Sequence, residues 1–106
     1  QFEVDDLVQK DMDIPQTFKC LRESLTCVLG IMDWSSIIIE KELRELSEEL
    51  SVKPGQLFGT VRVALTGGKV APPLFESMGV LGKDVCLARL KSALAILEVD
   101  LENGQA

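Results

Sequence analysis

The sequence predicts an all-α fold, a compact bundle of about five helices, on three observations. Apolar residues recur at steps of three and four, the helical period, along most of the chain. Pro15, Pro54 and the Pro72-Pro73 pair stand where helices start, and Gly30, Gly67 and Gly79 where they stop. The stretches between periodic segments are short, as in bundles of antiparallel neighbours. At 106 residues and 46% hydrophobic composition, the chain suits one domain with a single modest core.

Each element has a local justification. Phe2, Val4, Leu7 and Val8 suit a short first helix within residues 1–11. Asp13-Ile14-Pro15 is a break and restart, and Phe18, Leu21, Leu25, Val28, Leu29 and Met32 form the expected buried stripe of the next helix. Ser35 or Ser36 caps a third helix, whose apolar face is Ile39, Leu43, Leu46 and Leu50. Ile37-Ile38-Ile39 is β-branched, but the strong helix formers of EKELRELSEEL carry the segment to helix. Pro54 opens a fourth helix with Leu57, Phe58, Val61, Arg62 and Leu65 on one side, and Gly67 is the expected left-handed terminator. Residues 61–65 also alternate as a strand would, so that alternative stands at this stage. Pro72-Pro73 starts a short helix closed by Gly79. A last helix spans residues 82–97, followed by a solvated, frayed tail.

Several function classes are excluded or left without support. The chain has no His, the commonest general base and metal ligand. Cys20, Cys27 and Cys86 show no CxxC pair, so no metal is expected. Seven residues of helix separate Cys20 from Cys27 by roughly 10 Å, beyond the span of about 7 Å that a disulfide bridges. No run reaches the roughly 18 apolar residues of a membrane span. Carboxylates cluster as a solvated helix face, and the serines lack a neighbouring base, so no catalytic residue is assigned. The chain begins at Gln1 without Met, and we read it as a fragment of something longer or a processed product.

Charge is uneven. Residues 1–50 carry five basic and twelve acidic residues; residues 51–97 carry six basic and two acidic, a balance of +4 within a net −6. Either a polyanion-facing half or a chance clustering on a solvated surface accounts for this. The loop from Lys69 to Leu74 leads into a helix N-terminus, whose unpaired N–H groups and positive dipole end favour anions. Lys69 adds a charge there, Arg62 lies one helix earlier, and Ala71 and Pro72 are small enough for a flat base to approach. The same residues could simply cap and pack a turn, with Arg62 paired to Glu76.

The ordered set Arg62-Val63-Ala64-Leu65-Thr66-Gly67, Pro72, Leu74-Phe75-Glu76, Leu81-Gly82-Lys83 and Arg89-Leu90 resembles the C-terminal end of bacterial glutamyl-tRNA synthetases. Trp34 and the Leu43–Leu50 helix leading to Lys53-Pro54-Gly55 extend the resemblance over residues 34–97. It implies three segments: residues 1–33 as linking helices from a preceding anticodon-binding subdomain, residues 34–97 as a helical anticodon-binding cage, and residues 98–106 as a flexible tail. It also implies a tRNA-binding role in a cytoplasmic class I ligase that attaches glutamate to its tRNA. The chain would then be non-catalytic, with ATP and Mg²⁺ held by the parent's catalytic domain and no cofactor of its own. The implied partners are the anticodon loop of glutamate tRNA and the rest of the synthetase, with no DNA and no membrane. Carried over by position, Ala71, Pro72 and Leu74 face the third anticodon base; Arg62 and Lys69 are the further RNA contacts expected from the charge reading above. Ala71 stands where the family has Ser or Thr, which leaves recognition to backbone groups and shape. The alternative from composition alone is a helical protein–protein interaction module.

Overall fold

The computed structural model describes residues 2–68 and 73–104. Six helices lie among them: α1 (Val4–Leu7), α2 (Ile14–Leu29), α3 (Ser36–Glu49), α4 (Pro54–Thr66), α5 (Leu74–Leu81) and α6 (Lys83–Gly104). Local chemistry starts and stops most of them. The Asp13 carboxylate accepts from Gln16 N–H, while the Gln16 side chain accepts from Asp13 N–H, a reciprocal cap for α2. Ser35 Oγ caps α3 by accepting from Ile38 N–H. Pro54 fills the first position of α4, where a missing N–H costs nothing. Gly67 ends α4 at φ 79°, a conformation that a side chain would strain. The strand alternative at 61–65 is therefore absent; those residues are the interior of α4.

α4 occupies the centre. Leu57, Gly59, Thr60, Val61, Val63, Ala64 and Leu65 are all buried, so it is enclosed on more sides than the one face expected. α2 and α6 pack extensively on each other, and α1, α2, α3, α5 and α6 all touch α4. This packing runs across the boundary expected between residues 33 and 34, so the first two helices share the core of the others. Each fully buried Leu in that core, such as Leu21, Leu43, Leu57 or Leu90, contributes about 1.5–3 kcal/mol through removal from water.

The structure departs from the sequence reading in three places. On α2 the buried stripe is Thr17, Cys20, Leu21, Ser24 and Val28, while Leu29 is 52% and Met32 94% exposed. The face is rotated toward the small side chains Cys20 and Ser24, on the helix that packs against α3, α4 and α6. α5 runs through Gly79 and ends at Gly82 (φ 88°), since Met78 C=O accepts from Gly82 N–H and completes the last turn. Residues 98–104, expected as part of a flexible tail, continue α6; half-buried Leu101 extends the stripe of Leu90, Ala93 and Leu97.

Long-range polar ties then fix the helix ends. Lys83 Nζ donates to Leu29 O (3.0 Å) and Ile31 O (2.6 Å), closing the C-terminus of α2 with a cation. Trp34 Nε1 donates to Met78 O (3.0 Å), binding the α2–α3 connection to α5. Buried Thr60 Oγ1 donates to Leu7 O (2.8 Å), and Gln56 Nε2 to Lys10 O (2.9 Å), which lash α1 and the turn after it to α4.

Candidate nucleic-acid interface

The corner between α4 and α5 is where the sequence places its binding residues. Thr66 shapes the exit from α4: its Oγ1 donates to Arg62 O (2.7 Å) and accepts from Gly68 N–H (3.3 Å). Gly67 N–H returns to Val63 O (2.8 Å), so the chain leaves the helix sharply. α5 resumes after Pro73, which has no N–H, and among the described residues no side chain caps its first turn. The leading N–H groups of α5 are those that no helical carbonyl can satisfy, and Glu76 lies in that turn.

α5 itself is held rigidly. Leu74 and Met78 are buried, and Phe75 packs edge-on against Phe58 with centroids 5.0 Å apart. Arg44 lies 5.2 Å over the Phe58 ring while pairing with Glu40 at 2.9 Å. The corner therefore rests on a clamped element, as a reading surface requires.

The five sequence-predicted site residues fare differently. Arg62 sits half-buried on α4, one turn before Thr66 and on the same side. Among the described residues it has no ion pair, and the pairing with Glu76 considered above is not formed. Leu74 is 2% exposed, so its side chain belongs to the core. Lys69, Ala71 and Pro72 lie outside the described residues.

The basic half is sorted by the fold. Arg89 Nη1 donates to Leu65 O (2.6 Å) and satisfies a carbonyl at the C-terminus of α4. Lys83 does the same for α2. Two of the six positive charges in residues 51–97 are thus engaged with helix ends, while Arg62, Lys53 and Lys91 remain turned to solvent in whole or part. Sequence reasoning missed these caps because each spans 24 to 54 residues. The only local hint was Gly67, a helix end in need of partners.

The remaining chemistry is quiet. Burial, reinforced by Glu42, Glu49 and Glu45, pushes the Cys27 thiol up to about 11. Burial pushes Cys86 up to about 11 against the opposing charge of Arg89, and raises Cys20 against Lys19. Such thiols are protonated at neutral pH and poor nucleophiles. Among the described residues no cluster of His, Cys, Asp or Glu is arranged to hold a metal, and no helix is long and apolar enough to cross a membrane.

Comparison with known proteins supplies the remaining constraint. A family model described as an anticodon binding domain matches residues 1–94. The chain is 45% identical over 93 residues to a glutamate–tRNA ligase of Chloroflexus aurantiacus, covering 88% of this chain and 18% of that protein. It is 45% identical over 91 residues to that of Roseiflexus castenholzii (86% and 18%), and 51% identical over 75 residues to that of a Nocardioides species (70% and 15%). The chain thus spans about 18% of the length of the first curated relatives it matches.

Proposed function

The chain belongs to the anticodon-binding domain family, and from that premise we propose that it reads the anticodon loop of glutamate tRNA for a glutamate–tRNA ligase. The observation that carries the proposal is the extent of the likeness, which runs through every helix that builds the α4–α5 corner. No specific observation favours the protein–protein module. On this reading the chain supplies recognition only. ATP, Mg²⁺ and the bond to glutamate belong to the rest of the ligase, which works with tRNA in the cytoplasm.

The mechanism follows from the corner. Arg62 meets a phosphate or base edge, Lys69 adds a second cation, and the backbone around Ala71, Pro72 and Leu74 fits an unstacked base. Arg62 and Leu74 are carried on packed helices before RNA arrives, so little ordering entropy is lost at those two positions on binding. Titrating the chain with glutamate tRNA should give association that weakens steeply with added salt. Arg62→Ala should weaken it by on the order of 1–3 kcal/mol, and Lys69→Glu should reduce the salt dependence. Equal binding to a transcript with an exchanged anticodon, or no binding at low salt, would overturn the proposal.

A further inference from the structure

Beside the corner, on the far side of Thr66, an open groove of about 480 Å³ runs between the end of α4, the outer face of α5 and α6. Thr66, Glu76, Ser77, Val80, Leu81 and Arg89 line it. None of the positions assigned from sequence alone is among them. Its floor is apolar, and Val80 is 88% exposed there, an aliphatic side chain left in water in a fold that buries its other α5 anchors. Its rim is polar and of both signs. The Arg89 guanidinium is held in place by its bond to Leu65 O, and among the described residues its remaining N–H groups have no partner. The Glu76 carboxylate is an acceptor, and Ser77 and Thr66 carry hydroxyls.

We propose that this groove is a second nucleotide subsite, which takes an unstacked base carrying an exocyclic amino group, adenine, cytosine or guanine but not uracil, from the same RNA. The inference rests on the tRNA-reading function proposed above. A nucleobase has flat apolar faces and a rim of donors and acceptors, which matches an aliphatic floor bordered by a carboxylate and a guanidinium. Glu76 accepts from the amino group and Arg89 donates to the adjacent ring acceptor. Uracil presents a carbonyl where adenine and cytosine present the amino group, and that oxygen would face a carboxylate. Charge supports RNA as the occupant: Arg62 lies one turn before Thr66 on α4, and Arg89 lines the groove and bonds Leu65 O beside Thr66, so two cations stand at this end of α4 for a phosphate chain. Continuity with the corner does the same, since Thr66 belongs to both.

The test uses the whole chain, with glutamate tRNA transcript and with single-stranded oligo(A), oligo(C) and oligo(U) as probes, read by fluorescence anisotropy. The wild type should prefer oligo(A) and oligo(C) to oligo(U). Glu76→Gln should cut that preference by about tenfold. Val80→Glu, at an exposed position where folding is checked by circular dichroism, should weaken tRNA binding comparably. If wild-type binding falls with Arg62→Ala but neither groove variant changes affinity or base preference, the subsite is overturned while the function stands. If the wild type binds none of the RNAs, the functional reading itself falls, and the subsite with it.

Discussion

Lys83→Met separates the structural from the RNA-facing positive charges. The substitution keeps an apolar stem of similar length and removes the ammonium that donates to Leu29 O and Ile31 O. A buried charge-assisted hydrogen bond contributes about 1.5–3 kcal/mol. Leu29 is 52% exposed, so water can replace part of what is lost, and we take the low end for Ile31 and a smaller share for Leu29. Adding the loss of a cation from the C-terminus of α2, about 0.3–1 kcal/mol, gives a total near 2 kcal/mol. For a domain of this size that lowers Tm by about 8–16 °C, measured by circular dichroism melts at pH 7. Affinity for tRNA at a temperature where the variant is folded should stay close to wild type. A Tm change under about 3 °C together with a loss of RNA affinity matching that of Arg62→Ala would refute the reasoning, because Lys83 would then belong to the binding face.

Two further outcomes are expected. A methyl group at Gly59 would lie 2.7 Å from Gln9 Cδ, and the Gln9 carboxamide is itself anchored to Asp6 O and Leu7 O at 3.1 and 3.2 Å. Gly59→Ala should therefore gain its helix-propensity benefit of about 1 kcal/mol only in a Gln9→Ala background; equal effects in both backgrounds, by urea melts, would dismiss the contact. Alkaline pH should also destabilise the fold. Unfolded thiols ionise near about 8.5, whereas Cys27 and Cys86 hold their protons up to about 11 when folded. The folded state then binds more protons in that interval, so stability is full below about pH 8.5 and falls as pH rises toward 11. Cys86→Ala should flatten the alkaline slope of the urea midpoint while lowering its neutral value through the cavity it leaves; an unaltered slope would rule out the thiol as a cause.

The sequence by itself determined what acts within about four residues. Asp13 and Ser35 reach their own helix starts, Pro54 fixes its own φ, and Gly67 supplies its own left-handed turn, so these boundaries were legible. The stripe of α3 was legible too, because one helix face met one core. Tertiary structure decided the rest. Which residues of α2 turn inward depended on where α6 and α3 press on it, so the period was right and its phase was not. Gly79 resembled a terminator, yet α5 passes through it because buried Leu74 and Met78 anchor the helix before it and the Gly82 N–H, donating to Met78 O, completes the last turn after it. The cations were the hardest to sort: a lysine looks the same in sequence whether it meets phosphate or the carbonyl of a helix end 54 residues away. A helix end shows its unpaired groups locally, but the partner that satisfies them is chosen by packing.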